Sequence, residues 1–85
     1  MSTLIYKYAV DETHSLPEGY KILSVGIDPK GVLVFWAEVE TPAGNFSEHE
    51  DVTLISIGTG WAVPDASTYI GTVVHGELVW HVYKV

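Results

Sequence analysis

The stretch YIGTVVHGELVWHVYK, from Tyr69 to Lys84, decides the fold class of this chain. Two runs of apolar and β-branched residues flank Gly76 and Glu77, and a two-residue loop that begins with glycine is typical of a tight β-hairpin. The segment therefore predicts two antiparallel strands, Tyr69–Val74 and Leu78–Lys84.

The two-residue loop also predicts which residues of this hairpin lie opposite each other. His75 pairs with Leu78, and Thr72 pairs with His81 further along the same strands. A hydroxyl that faces an imidazole across a strand pair favours a hydrogen bond. We interpret Thr72 and His81 as such a structural pair.

A second turn signal lies upstream, at Asp28-Pro29-Lys30-Gly31. Proline fits the second position of a turn because its φ is fixed, and glycine fits where φ must be positive. The same reading extended along the chain predicts six strands in all: Leu4–Val10, Tyr20–Ile27, Val32–Glu40, Val52–Ile57, Tyr69–Val74 and Leu78–Lys84.

No stretch shows sustained helical spacing of apolar residues. The one helix-start signal, Ser47 with Glu50 three residues on, runs directly into β-branched residues and is interpreted as loop. Residues 1–85 are therefore expected to form a single all-β domain. Its predicted fold is a small antiparallel six-stranded sheet, arranged as a sandwich or a partly closed barrel built from hairpins.

Two stretches, Val32–Glu40 and Leu78–Val85, do not alternate apolar and polar residues: both faces are apolar, in the first of them up to Glu38 and Glu40. A sheet with one solvated face alternates apolar and polar residues, and a domain this small has little interior in which to bury two faces. We therefore predict a homo-oligomer. The residues predicted for its interface are Val34, Trp36, Trp80 and Val82.

The charge composition favours some partners and excludes others. Four lysines and no arginine face eleven acidic residues, for a formal charge of −7. Long nucleic acid is not an expected partner, because its recognition needs a basic surface. The acidity has two interpretations, solubility or an acidic face that occupies the basic groove of another protein.

Several other features of the sequence bear on location and covalent chemistry. Cysteine is absent, so neither disulfides nor thiolate metal sites are expected. No apolar run approaches the length of a membrane span, and the N-terminus does not have the pattern of a signal peptide. The expected location is the cytoplasm, with no membrane partner and no cofactor.

A candidate ligand site follows the run that ends at Ile57. Glycines at Gly58 and Gly60, on either side of Thr59, allow backbone amides to converge on an anion, and Trp61 offers a flat surface for a base. Tyr69, at the start of the next strand, is expected to close the same site. The alternative is a structural turn or bulge at the end of the strand.

The remaining polar residues give no strong catalytic or metal pattern. The four histidines (His14, His49, His75 and His81) do not have the spacing of a metal motif. Glu38 and Glu40 share a strand face but lack a nucleophile or cofactor motif beside them. We therefore predict no metal site and no catalytic residue, and hence a protein that is not an enzyme.

Six sequence blocks are spread over nearly the whole chain: IYKY (5–8), LPEGYKILSVG (16–26), FWAEV (35–39), IGTGW (57–61), YIGTV (69–73) and LVWHVY (78–83). Together they resemble a family of short phage and prophage proteins of unknown function. The segment Glu40–Asp51 departs most from the pattern, because it is acidic here.

This resemblance implies a protein that acts in the cytoplasm of a host cell. One mechanism is anti-defence by an oligomer that sequesters a small, nucleotide-like signalling molecule, using Gly58–Trp61. The alternative is an acidic inhibitor, using Glu40–Asp51, that occupies a nucleic-acid-binding groove of a host protein. A structural or housekeeping phage protein is a third interpretation.

Overall fold

The computed structural model describes residues 2–41 and 48–85, and within them all regular structure is β-strand. Seven strands follow each other along the chain: β1 Ser2–Ala9, β2 Thr13–Pro17, β3 Lys21–Ile27, β4 Leu33–Thr41, β5 His49–Gly58, β6 Thr68–His75 and β7 Leu78–Lys84. The predicted all-β class is confirmed.

The strands form two antiparallel sheets. One has three strands in the order β1-β4-β3, and the other has four in the order β2-β5-β7-β6. Over the described residues neither sheet closes on itself. Of the two predicted arrangements, the chain therefore has the two-sheet one and not the barrel. The predicted count of six strands is wrong. The strand that was not predicted is β2, which is short and polar and ends in Pro17.

Both predicted hairpins are present. Gly31 has φ +85 and donates its N–H to the carbonyl of Asp28, which closes the turn between β3 and β4 at 2.9 Å. Gly76 has φ +64, and His75 lies opposite Leu78 as predicted from the two-residue loop. Glycine adopts these positive φ values without steric cost, so the turn residues determine both registers.

The two sheets enclose one apolar core. Phe35 and Ala37 of β4 face Val52 and Leu54 of β5 across it, and all four side chains are fully buried. Leu16 of β2 is also fully buried, which explains why this short strand belongs to the fold. Alternate residues of each strand point to one face, so the apolar stripe of β4 forms one wall of this core.

A bulge in β6 changes which face its residues occupy. Tyr69 pairs with Tyr83 and Gly71 pairs with Val82, so Ile70 is an extra residue between them. An extra residue shifts the alternation of side chains by one. As a result Tyr69 and Thr72, three residues apart, lie on the same outer face of the four-stranded sheet.

One carboxylate organises the outer side of the three-stranded sheet. Asp28, whose side chain is 4% exposed, accepts hydrogen bonds from the Lys7 ammonium at 2.8 Å and from the backbone N–H groups of Lys30 and Val32, both at 2.9 Å. The bond from Lys7 and those from the backbone lower the pKa of Asp28 to about 2. Asp28 thereby connects β1 to the turn that follows β3.

Two residues of the predicted oligomer interface are buried within the chain itself. Val34 is 2% exposed and Val82 is 0% exposed, the latter in the core between the sheets. Their side chains therefore do not offer surface to another molecule. Trp36 and Trp80 are half-buried. The oligomer stays a prediction, and Trp36 and Trp80 are the two predicted interface residues that keep exposed surface.

No helix in the described ranges, 2–41 and 48–85, is long and apolar enough to cross a membrane.

Candidate functional site

A surface pocket of about 340 Å³ opens at one end of the four-stranded sheet. It lies between the end of β5 and the start of β7, which are neighbours because Gly58 pairs with Trp80. The lining residues are Gly58, Thr59, Trp61, Glu77, Leu78, Val79 and Trp80. Three of the five predicted ligand residues thus lie in one pocket.

The Gly58–Trp61 segment forms a tight turn at one wall of the pocket. The N–H of Trp61 donates to the carbonyl of Gly58 at 3.0 Å, and Gly60 has φ +90. A positive φ at the third position is typical of a type II turn. Since the amide of Trp61 closes this turn, it does not contribute to an anion-binding group of amides. The structural-turn interpretation therefore describes the backbone here.

The turn places the indole ring of Trp61 against the backbone of Gly58, which has no side chain. A Cβ on Gly58 would lie 2.8 Å from the ring of Trp61, too close for any side chain larger than hydrogen without movement of the ring. The ring of Trp61 meets that of Trp80 edge to face, with centroids 5.8 Å apart and planes at 73°. Trp61 nevertheless remains 62% exposed.

The pocket is therefore an aromatic corner whose outer ring is open to solvent. Large apolar surfaces are normally buried in a folded protein, and exposed ones often mark binding sites.

Among the described residues that line the pocket, Glu77 is the one with a charge, and it is exposed. A carboxylate accepts hydrogen bonds and repels anions. None of the described lining residues is a lysine. The arrangement suits a neutral or cationic ring that carries N–H donors, and it does not suit direct recognition of a phosphate.

A chain of hydrogen bonds runs along the outer face of the sheet to the rim of this pocket. The Tyr69 hydroxyl contacts the Thr72 hydroxyl at 2.6 Å, and the latter contacts His81 Nδ1 at 3.1 Å. His81 Nε2 contacts the Thr59 hydroxyl at 2.9 Å. The predicted Thr72–His81 pair is confirmed, and the chain holds Thr59 at the pocket rim.

Tyr69 was predicted to close the site, but it is not one of the residues that line the pocket. It lies on the outer face of β6 and contacts the ring of Tyr83 edge to face, with centroids 5.5 Å apart. Its connection to the pocket is indirect, through Thr72, His81 and Thr59. Gly60 likewise lies in the turn and not among the lining residues.

The other sequence expectations fall outside this pocket. His14 Nε2 contacts the carbonyl of Ala9 at 2.8 Å, a structural role between β1 and β2. No group of three or more metal-binding side chains occurs among residues 2–41 and 48–85. Half of the acidic segment Glu40–Asp51, residues 42–47, lies outside the described residues, but its four carboxylates, Glu40, Glu48, Glu50 and Asp51, are described and exposed.

Sequence reasoning missed Glu77, Leu78 and Val79 as pocket residues. The hairpin signal placed Glu77 correctly in the loop. What it did not supply was the neighbouring strand, since the pairing of β5 with β7 is not local in sequence. Trp80 was singled out, but for an oligomer interface.

The fold and this pocket together define a small two-sheet β protein with an aromatic surface site. The chain belongs to the family described as "Domain of unknown function (DUF7352)", whose model matches residues 1–85. No curated protein matches the chain, and no solved structure does so either. The family is thus established.

Proposed function

We propose that this chain is a non-enzymatic binding protein that holds a small ligand by a flat ring in the pocket beside Trp61 and Trp80. The observation that carries the proposal is the indole of Trp61, which lies on the bare backbone of Gly58 and is still mostly exposed. A ring kept open in this way is available to stack on a ligand.

The proposed ligand is nucleotide-like. Nucleobases are flat, and stacking on an aromatic side chain is worth about 1–3 kcal/mol per base. The carboxylate of Glu77 would accept hydrogen bonds from ring or exocyclic N–H groups of the base. Since no lysine lines the pocket, the phosphates would extend away from it into solvent.

The biological setting follows from the sequence blocks that resemble phage and prophage proteins. A phage-type binding protein in the host cytoplasm would counteract defence by sequestering a nucleotide signal, and an oligomer would hold several copies of that signal. Sequestration needs affinity and no chemical step.

The hydrogen-bonded chain at the pocket rim supports binding over catalysis. A histidine that activates a hydroxyl nucleophile is normally oriented by a carboxylate on its other nitrogen. In this chain both ring nitrogens of His81 contact threonine hydroxyls. The contacts to Thr59 and Thr72 rigidify the rim and occupy both ring nitrogens, including the one that a carboxylate would have to orient.

Calorimetric titration with guanosine, adenosine and a cyclic dinucleotide of guanosine tests the proposal. We expect at least one base to bind, and Trp61→Ala to weaken it by about 5- to 150-fold, the range that stacking provides. Val63→Ala is the matched control, because Val63 is exposed two residues away and does not line the pocket.

Two further variants test the geometry. Gly58→Ala should displace the Trp61 ring and weaken binding although no ligand-contacting side chain is removed. Glu77→Gln should weaken binding severalfold, whereas Glu12→Gln, at another exposed carboxylate, should not. If the dinucleotide binds far more tightly than its nucleoside, recognition is through phosphate and this site is wrong.

A second candidate function rests on the start of β5. Glu48, Glu50 and Asp51 are exposed together, and the N–H of Glu18 donates to the carbonyl of Glu48 at 2.7 Å, so Glu18 lies beside them. An acidic surface of this kind is suited to the basic groove of a nucleic-acid-binding protein. Failure of every nucleoside and nucleotide to bind would favour this inhibitor.

A further inference from the structure

The edges of the two sheets differ in how they are protected against pairing with another chain. The three-stranded sheet ends in β1 and β3, and the four-stranded sheet ends in β2 and β6. An edge strand presents unpaired backbone N–H and C=O groups. Natural proteins prevent unwanted pairing there with short edge strands, β-bulges, prolines, charged side chains or a covering segment.

Three of these edges carry such a device. β3 has a bulge at Leu23 and β6 has one at Ile70. These two edges also contact each other, with Val25 of β3 packed closely against Gly71 of β6. β2 is only five residues long and ends in Pro17, which has no N–H to donate.

Within residues 2–41 and 48–85, β1 carries none of these devices. It is eight residues long, and its register with β4 runs unbroken from Ser2 to Ala9. It contains no proline, no glycine and no carboxylate. Its single charge, on Lys7, is held in the ion pair with Asp28 of the same chain.

Several large apolar side chains of β1 are exposed to solvent, although such side chains are usually buried. Leu4, Ile5 and Tyr6 follow one another and are all exposed, Ile5 to 60%. Consecutive residues of a strand point to opposite faces, so the apolar surface continues around the edge. A long, apolar, regular edge is the type that pairs with another strand.

We propose that β1 pairs antiparallel with β1 of a second copy of this chain, around a two-fold axis near Ile5. The pairing would join the two three-stranded sheets into one sheet of six strands. Such a contact is self-complementary, because the same strand serves both partners.

Charge favours a second copy at this edge over other parts of the surface. Each chain has a formal charge of −7, so two copies repel each other wherever carboxylates meet. β1 has no carboxylate. With Ile5 opposite Ile5 of the second copy, Leu4 lies opposite Tyr6 and Thr3 opposite Lys7. No like charges meet directly in this register.

The β1 contact would supply the interface of the oligomer in the proposed function, and its formation does not depend on a bound ligand. β1 belongs to the three-stranded sheet, whereas the pocket is formed by β5 and β7 of the other sheet. Loss of the dimer and loss of ligand binding are therefore separate results, measured on different variants.

Sedimentation equilibrium of the full chain tests the interface. The unmodified protein is expected to have twice the 9.3 kDa mass of one chain at micromolar concentration. Ile5→Lys is expected to be monomeric, because it places two ammonium groups opposite each other across the axis. Within one chain the new lysine faces Glu38, so β1 should still pair with β4.

Val74→Lys is the matched control, since Val74 is 68% exposed on the protected edge strand β6. It is expected to remain dimeric. Thr3→Lys provides a second test that does not alter the apolar patch, because it would face Lys7 of the other copy and Glu40 of its own. A mixture of Ile5→Lys and Ile5→Glu chains should restore a dimer by opposite charge.

A monomeric unmodified protein at several hundred micromolar would overturn the proposal. So would an Ile5→Lys variant that stays dimeric while Val74→Lys dissociates, which would place the interface on β6. If Ile5→Lys does not fold, as judged by its thermal melt, the result for Thr3→Lys decides between these outcomes.

Discussion

At the residue scale, Asp28 shows how one side chain serves both a turn and a contact between distant strands. Its carboxylate accepts from two N–H groups of the turn and from the Lys7 ammonium. Each bond favours the ionised form, so the pKa of Asp28 falls from its ordinary value to about 2.

This lowered pKa predicts how stability depends on pH. A carboxyl with a lower pKa in the folded state stabilises that state fully above its unfolded pKa of about 4, and the stabilisation is lost as the pH falls towards about 2. We expect Asp28→Asn to remove this part of the acid sensitivity. Urea unfolding of both proteins between pH 2 and 6 measures the difference.

Asp51→Asn is the control for this measurement, because Asp51 is exposed and takes no part in the contacts made by Asp28. If Asp28→Asn and the unmodified protein lost stability in parallel from pH 4 to pH 2, the role assigned to Asp28 would be wrong.

The sequence predicted half of the environment of Asp28. Pro29 and Gly31 identified the turn, and an aspartate at its first position is an ordinary turn residue. Lys7 is 21 residues away in another strand. Nothing in local spacing indicates that contact, which depends on β1 and β3 both lying beside β4.

At the scale of the elements, local signals predicted hairpins well and irregular strands poorly. The register of Thr72 with His81 is confirmed because a two-residue loop allows few alternatives. β2 was missed because Thr13–Pro17 is short and contains one buried apolar residue, Leu16. Its place in the sheet comes from β5, far along the chain.

Tyr69 misses the pocket because it lies opposite Tyr83, three residues along β7 from Trp80, and the bulge at Ile70 explains why it shares a face with Thr72. Strict alternation along β6 would place Tyr69 and Thr72 on opposite faces, and Gly71, a residue type that often accompanies a bulge, does not by itself fix the position of the interruption. The extra residue is visible only once β6 is aligned with β7. Only part of the pocket was predicted. Trp61 lies in the same turn as Gly58, whereas Glu77 reaches the pocket through the pairing of β5 with β7, which local sequence does not indicate.

The contact between β3 and β6 yields a prediction about how the sheets pack. A Cβ on Gly71 would lie 3.0 Å from Cγ2 of Val25, tighter than ordinary contact. Gly71→Ala is therefore expected to destabilise the fold by about 1–3 kcal/mol, the usual cost of overpacking. Chemical denaturation measures this change in the free energy of unfolding.

The double variant Gly71→Ala with Val25→Ala supplies the control. If the close approach causes the loss, removing the valine methyl groups should make the glycine substitution much less costly in that background. Equal costs of Gly71→Ala in both backgrounds would show that Val25 is not responsible.

At the scale of the whole molecule, the net charge of −7 affects the proposed dimer. Repulsion between two acidic chains extends over about 30 Å at 0.01 M salt and over about 8 Å at 0.15 M. Since β1 itself holds no carboxylate, salt should screen the repulsion and leave the contact unchanged. We expect the dimer to tighten severalfold over this range.

Sedimentation equilibrium at several salt concentrations measures that dependence. The Ile5→Lys variant should stay monomeric throughout, which separates dimerisation at β1 from general association in salt. A dimer that weakens as salt is added would indicate attraction between opposite charges, and would contradict an interface made by β1.

The two edge-to-face indoles of the pocket also give the molecule an optical signature of its own. The transitions of Trp61 and Trp80 couple when their rings are 5.8 Å apart and inclined at 73°. Such coupling produces a pair of circular dichroism bands of opposite sign, and the described residues contain no helix whose stronger signal would hide them. A ligand that moves the Trp61 ring changes these bands while the strand signal stays constant. Occupancy of the site can thus be followed without a label, and told apart from unfolding in the same spectrum.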